Sequence, residues 1–535
     1  MKVLTTNPAS RSDRNYSENE TRPRRKMKSF FEDNKPQNGH ARKSLRGGAI
    51  SIIARGINAT VQVGSAFFLA RLLSPEDYGL VTMVFAITGL APMVVDLGTR
   101  DAIVQRERIS REDVSTLFWI TFAVGCVLAL LVIASGPFIA HIYNEPRLTV
   151  IALVSSLTIL GAAISCQHYA LLRRAMMFRN LAIIEVGSNV LGACVAIAMA
   201  FRGLGYWALV LRPVITAYAL AAALWCQCRW WPNRPGRSAG VRQMLQFGLN
   251  LIGFTAADFV GKNSDRVAIG FNLGAVVLGS YQNALLVYDN LLDVAVLPLH
   301  QVAVASLSKL QNNLSELKRS WDKALSTVAF FAMPMFGILA ATSQDLIVVL
   351  LGAKWVIAGN LLSILALRGI PHSVERTLGW LHVAAGRTDR WLRWGVFATC
   401  IQLVALISGL PFGLMGIVLA YTICMFCLFV PTIAYAGYPL GIGATDVIRA
   451  TGRQLVGALL AAGAGFALRD LLLTDTDKLL RIVLTALTYS SVYLVLVAGV
   501  FRVTTPLMVG YSLVRDILTS RSVGFNRLAL LRGAK

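Results

Sequence analysis

From residue 49 to residue 503 the chain alternates between long apolar runs and short polar breaks. A helix needs about 20 apolar residues to cross the hydrocarbon of a bilayer, and fourteen stretches meet that length. They are roughly 49–70, 80–99, 114–134, 149–171, 181–201, 204–228, 244–270, 279–305, 324–342, 357–380, 394–410, 414–436, 453–473 and 481–501. A backbone in lipid must satisfy its own hydrogen bonds, so runs of this length predict helices rather than isolated strands. The pattern therefore predicts an all-α integral membrane protein with about fourteen transmembrane helices.

The pattern also repeats. At an offset of 200, Leu45, Gly48, Ile52, Leu73 and Gly79 recur as Leu245, Gly248, Ile252, Leu273 and Gly279. Further on the offset grows: Leu153, Leu157 and Gly161 recur as Leu361, Leu365 and Gly369, and Gly203, Leu204 and Leu209 as Gly413, Leu414 and Leu419. The ordered drift argues for an internal duplication. Each copy holds six spans, an even number, so both insert the same way round. Parallel repeats of this kind build transporters with a central cavity. The expected divisions are a basic arm at 1–46, six-helix bundles at 47–243 and 244–440, two added helices within 441–503, and a tail at 504–535 that mixes apolar and basic residues like an interfacial amphipathic helix.

Composition agrees with a lipid solvent: 55% of the 535 residues are hydrophobic, 15% are charged, and mean hydropathy is +0.60. The net charge of +23 suggests nucleic acid until its placement is examined. With the N-terminus inside, the great majority of Lys and Arg fall in cytoplasmic segments, including Arg106–Arg111, Arg173, Arg174, Arg179, Arg229–Arg242, Lys309–Lys323 and Arg387–Arg393. That is the positive-inside rule at loop after loop. It predicts an inner-membrane protein with both termini cytoplasmic, no nucleic-acid partner and no cleaved signal peptide. Cys226-x-Cys228 and Cys424-x-x-Cys427 lie in or at the ends of apolar spans without a second ligand pair, so they are read as packing thiols, with no metal and no cofactor. No phosphate-cradling glycine loop, zinc-protease or nucleophile-elbow motif occurs, and enzymatic chemistry is disfavoured.

Polar residues inside the spans are the candidate site, because an ionisable group in lipid costs roughly 2.5–3.5 kcal/mol on insertion scales. At 100° per residue, four spans carry them in register. Ser51, Arg55, Asn58 and Gln62 share one face of the first span; Asp258, Lys262 and Asp265, with Arg266 beside them, share one face of the seventh. Gln282, Asp289, Asp293 and His300 line the eighth, and Arg368, His372, Glu375 and His382, flanked by Arg376, line the tenth. Internal ion pairs would explain any one stripe, and Asp258 with Lys262 at i, i+4 is such a pair. Four aligned stripes favour a shared aqueous cavity of mixed sign. Arg212, just before Pro213, is a further charge in an apolar zone.

The run Leu69-Ala70-Arg71-Leu72-Leu73-Ser74-Pro75-Glu76-Asp77-Tyr78-Gly79-Leu80, followed by Val95-Asp96-Leu97-Gly98, resembles the polysaccharide transporter family (Wzx/WzxC/ExoT-like lipid-linked oligosaccharide flippases) of the multidrug/oligosaccharidyl-lipid/polysaccharide exporter superfamily. Asp265-Arg266, Leu273-Gly274 and Gly279-Ser280-Tyr281 fit the second half of that pattern, and the resemblance spans roughly 44–500. Read alone, Ser74–Gly79 is a tight external turn built on Pro75 and Gly79. The resemblance implies two six-helix bundles moving by alternating access and flipping undecaprenyl-diphosphate-linked repeat units outward for exopolysaccharide or lipopolysaccharide synthesis. The expected partners are the lipid-linked oligosaccharide substrate, membrane lipids and a polysaccharide polymerase or export machinery, with action as a monomer. Basic residues would face the diphosphate, a role carried onto Arg55, Lys262 and Arg266, with Arg368 beside them. Asp289, Asp293, Asp258, Asp265 and Glu375 are candidates for H+ or Na+ coupling. The nearest alternative is a cation-coupled multidrug antiporter of the same superfamily, which the carboxylates would suit. An integral-membrane polymerase or acyltransferase is the enzyme alternative.

Overall fold

The computed structural model describes residues 40–504 and 506–508, apart from 97, 107–108, 237–238, 311–312, 385–386 and 474–475. The described residues are helices joined by short turns, and no strand occurs among them. Among the described residues, nine helical segments are long and apolar enough to cross a membrane, and the bent pair Pro75–Thr88 and Leu90–Gln105, at 42°, makes a tenth. One of the nine, Asp389–Leu440, holds two helices either side of a one-turn break at Leu410–Phe412. The helix His40–Leu72 and the two arms of Ala239–Lys309, which carry polar stripes, bring the number to the fourteen expected. The arm at 1–39 and the tail from 509 lie outside the described residues.

The helices fall into two compact units, 1–278 and 279–535. The first contains α1 (His40–Leu72), α2 (Pro75–Thr88), α3 (Leu90–Val94), α4 (Thr99–Gln105), α5 (Arg111–Tyr143), α6 (Arg147–Arg174), α7 (Phe178–Phe201), α8 (Trp207–Cys228) and the first arm of α9 (Ala239–Lys309). α2 and α5 each start with a capping box, Ser74 with Asp77 and Ser110 with Asp113, which satisfies amide donors that a helix start leaves open. Pro75 at the first helical position loses no hydrogen bond there. The structure thus corrects the reading of Ser74–Gly79 as a turn: Ser74 ends the turn, and Gly79 lies inside α2 against the backbone of Ala275.

α9 runs for 71 residues and breaks at Gly274, whose φ of 81° and ψ of 179° suit glycine. Each arm is roughly 50 Å long at 1.5 Å per residue, enough for one span. The break falls where the repeat places it: 200 residues earlier, α1 ends and Ser74 caps α2. Hydropathy divides the chain near 243, whereas packing divides it beyond the break. The reason is that Gly270 lies against Tyr143 and Met83, and Ala275 against Gly79.

Helix pairing recurs between the units. In the first, α5 packs on α6, α6 on α8 and α7 on α8. In the second, α10 (Leu314–Leu351) packs on α11 (Val356–Ala384), α11 on α13 (Gly413–Gly437) and α12 (Thr388–Gly409) on α13. These are the same three pairs counted along either copy, as a duplicated chain requires.

Each unit also sorts its loops by end. In the first, Arg147 bonds Glu76 at 2.6 Å and Glu145 at 2.7 Å, gathering the α1–α2 and α5–α6 turns at one end. Hydrogen bonding from Arg147 holds the Glu145 carboxyl below its ordinary pKa. At the opposite end Arg173 pairs with Asp101, and the segment after α8 is strapped to α5, with Trp119 donating to the Asn233 carbonyl and Thr116 bonded to Gly236. In the second unit, Lys318 meets Asp446 at one end and Arg390 lies on the Tyr435 ring near the same helix termini, while Arg481 grips Asp345 at the other. The sequence alternation of inside and outside loops makes the same division.

α14 (Ala444–Leu472) and α15 (Lys478–Leu494, continued by a π-helical turn to Val500) both pack on α10. Besides the Arg481–Asp345 pair, Arg469 donates to the Ala341 carbonyl at 2.7 Å and Tyr493 to that of Phe330 at 3.0 Å. Tyr489 donates to the Ala458 carbonyl at 2.9 Å and passes over Gly337 so closely that a Cβ there would lie 1.9 Å from its hydroxyl. Tyr489 is fully buried, so moving it sacrifices a hydrogen bond in a dry interface. Gly337→Ala is therefore expected to cost about 1–3 kcal/mol and to loosen α14–α15. Limited proteolysis of membranes should then cut the α14–α15 segment faster than in the wild type; unchanged cleavage would contradict the packing.

Candidate functional site

Two polar stripes meet in the second unit. α11 presents Arg368, His372, Glu375 and Arg376 at spacings of four, three and one, and the second arm of α9 presents Asp289 and Asp293 one turn apart. Arg376 pairs with Asp293 at 3.1 Å, and His372 Nδ1 lies in a hydrogen bond 2.7 Å from the Tyr288 hydroxyl. Arg368 lies over two rings, 5.6 Å from the centre of Tyr288 and 5.1 Å from that of Tyr421. Cation–π contacts of this kind contribute about 2 kcal/mol each when desolvated, which offsets part of the cost of a charge inside a span. Glu375 is near enough to feel both Arg368 and Arg376. Asp289 is exposed, and His300 stacks on Trp380. The outcome is a row of mixed sign on α11 and an anionic row on α9 within one unit, joined by the Asp293–Arg376 ion pair.

The first unit holds the other candidates. Arg55 is exposed on α1, while Asn58 on the same stripe accepts from Asn189 of α7 at 3.2 Å. Lys262 is exposed and Asp265 buried. Arg266 folds along its own helix, its guanidinium donating to the Lys262 carbonyl at 2.9 Å and to Asn263 Oδ1 at 2.8 Å. Its backbone N–H donates to Asp265 Oδ1 at 2.7 Å. The side chain of Asp258 lies outside the described residues. Arg212 points at α1, donating to the Ser65 hydroxyl at 2.8 Å.

A further polar cluster was not legible as a stripe. Between α3 and α4 the chain turns at Gly98, φ 66°, and Asp96 and Arg100 pair at 3.4 Å across the elbow. Arg100 lies over the Tyr169 ring at 5.2 Å, and the Tyr169 hydroxyl donates to Glu185 at 2.7 Å. Gln167, fully buried, bonds Thr99 and Thr121. These contacts pin the elbow to α6 and α7. The only sequence signal was Val95-Asp96-Leu97-Gly98, whose glycine marks the turn but not its partners. Tyr288 and Tyr421 were likewise invisible to a search for side chains charged near neutral pH.

Comparison with known proteins fits this architecture. The chain is 26% identical to the succinoglycan biosynthesis transport protein ExoT of Rhizobium meliloti (strain 1021), over 74% of this chain and 80% of that one. It is 25% identical to the lipopolysaccharide biosynthesis protein WzxC of Escherichia coli (strain K12), over 71% and 78%, and to the teichuronic acid biosynthesis protein TuaB of Bacillus subtilis (strain 168), over 62% and 70%. In fold it is similar to the lipid II flippase MurJ in an inward closed conformation, with a TM-score of 0.68 at 14% identity over 85% of this chain and 99% of that one. A multidrug resistance MATE family transporter of the MOP superfamily follows at 0.54 and 13%, over 73% and 98%. The family model described as polysaccharide biosynthesis protein matches residues 68–359, more than half of the sequence, and the chain belongs to that family.

Proposed function

We propose that this protein is a flippase that carries lipid-linked oligosaccharide repeat units across the bacterial inner membrane for polysaccharide biosynthesis. The observation that carries the reading is Arg368, a guanidinium held between two aromatic rings inside a span of a family member. Sugars and a diphosphate lose their hydrogen bonds in bare hydrocarbon. Charged, hydrogen-bonding walls remove that cost while the lipid tail stays in the bilayer. In this reading Arg55, Lys262, Arg266 and Arg368 hold the diphosphate, and the lipid carrier is undecaprenyl. Two negative charges moving outward down an inside-negative potential release roughly 2.3 kcal/mol per charge per 100 mV, which drives export without ATP. Asp289, Asp293, Asp258, Asp265 and Glu375 are the groups through which H+ or Na+ would couple. The protein acts as a monomer and hands its cargo to polymerase or export machinery on the far side.

The test is reconstitution in vesicles with a fluorescent prenyl-diphosphate oligosaccharide. Translocation should exceed that of protein-free vesicles and should be insensitive to cationic dyes. Transport of the dyes instead would favour the multidrug antiporter, which the MATE-like fold accommodates.

Orientation is part of the proposal: both termini are cytoplasmic, so the end bearing Glu76 and Asn144 faces out. Single cysteines at Glu76 or Asn144 should react with an impermeant maleimide in intact cells, and cysteines at Arg106 or Arg234 only after permeabilisation. Labelling of Arg234→Cys from outside would reverse the assignment.

A further inference from the structure

A second basic site lies in the second unit, away from the stripes. At the N-terminal ends of α10 and α14 a pocket of about 360 Å³ is lined by Lys318, Arg319, Asp322, Lys323, Asp446 and Arg449. Its two carboxylates differ in state. Asp446 Oδ2 is taken, accepting from Lys318 at 2.8 Å and from the Gly443 amide at 2.9 Å. Asp322 Oδ1 is buried with no hydrogen-bond partner. Arg319, Lys323 and Arg449 are exposed around the pocket. Four cations against two carboxylates leave an excess of two positive charges, and two helix N-termini add partial positive charge at the same end.

We infer that this pocket binds the headgroup of an anionic phospholipid, its phosphate held by Arg319, Lys323 and Arg449. The setting selects a lipid over a soluble anion. The apolar stretches 324–342 and 453–473 begin within a few residues of the pocket, which places it at the membrane surface. Ile448, next to Arg449, is 63% exposed, and Leu459 and Leu460 continue an exposed apolar strip along α14 on which an acyl chain can lie. Basic pockets between helix ends at a membrane surface recognise lipid phosphates in this way. Phosphatidylglycerol, whose phosphodiester charge is not cancelled by an ammonium as it is in phosphatidylethanolamine, suits the excess positive charge of the pocket.

The test uses the full chain purified in detergent and titrated with dioleoyl-phosphatidylglycerol, bound lipids being counted by native mass spectrometry. One phosphatidylglycerol should be retained well above the rest. Arg319→Gln with Lys323→Gln and Arg449→Gln should weaken it at least about tenfold, whereas Arg202→Gln, at an exposed position elsewhere, should not. Ala450→Trp, which fills the pocket without changing charge, should displace the lipid as well. It also guards against misreading a triple variant that folds poorly. Retention unchanged in the triple and filled variants would overturn the site. Competition by millimolar inorganic phosphate would show the ligand to be a free anion and end the lipid assignment, as would equal retention of phosphatidylethanolamine.

Discussion

Arg266→Ala and Arg55→Ala are each expected to cut polymer export by about tenfold to a hundredfold while the protein still inserts and reaches near-normal abundance. Arg55 is exposed, and Arg266 bonds a helix carbonyl and Asn263 of its own helix, contacts of about 1 kcal/mol each. Export should fall because a guanidinium held inside a span is costly until an anion offsets it. Each charge-assisted bond to a diphosphate contributes about 1.5–3 kcal/mol, so losing one reduces transport by tenfold to a hundredfold. Lysine should rescue poorly at both positions, because an ammonium cannot reproduce a planar bidentate contact. A structural role makes a different forecast. If Arg266 serves mainly to balance buried Asp265, the double variant Asp265→Ala with Arg266→Ala should export better than either single variant, and the singles should be scarce. Export assayed by polymer yield, beside immunoblots of membranes, separates the cases. Normal export from both alanine variants would refute the binding role.

Much of this arrangement was legible because lipid leaves a chain few choices. Apolar length marks the spans, and a period of 3.6 marks the face on which Asp289, Asp293, Arg368 and Arg376 lie. The break at Gly274 lies between two positions the offset of 200 aligns, Leu273 with Leu73 and Gly279 with Gly79. What the stripes could not convey is which charges neutralise one another. Asp293 reads as a coupling carboxylate by register, yet it sits 3.1 Å from Arg376, and only three-dimensional pairing reveals it. Asp96 and Arg100 were missed because an i, i+4 pair beside a glycine reads as the flank of a loop, whereas here the loop is an elbow inside the unit. The α14–α15 pair was recognised as lying outside the repeat, but its seat on α10 depends on Gly337, a position that hydropathy does not distinguish from its neighbours.

Gly79→Ala is expected to have the largest effect on the fold of any single methyl group added to the first unit. Sequence reading places Gly79 in a turn, where alanine is often tolerated; the capping box at Ser74 and Asp77 with Pro75 puts it in the second turn of α2 instead. A Cβ there would lie 1.8 Å from the Ala275 carbonyl oxygen, 2.4 Å from its carbon and 2.7 Å from its Cα. All three are backbone atoms, so no flexible side chain can swing away, and α2 must separate from the second arm of α9 just beyond its break. Overpacking ordinarily costs about 1–3 kcal/mol, and a clash between two helix backbones belongs at the upper end or beyond. In a membrane, where helices associate through close packing rather than hydrophobic burial, the loss is felt directly. Membrane abundance of Gly79→Ala should fall several-fold, with faster proteolysis after solubilisation. Gly56→Ala is the control: it lies in α1 with nothing within 4 Å of the added carbon, and alanine favours the helix by about 1 kcal/mol. If the two variants are equally abundant and equally resistant to protease, α2 and α9 do not approach as closely as this structure has them.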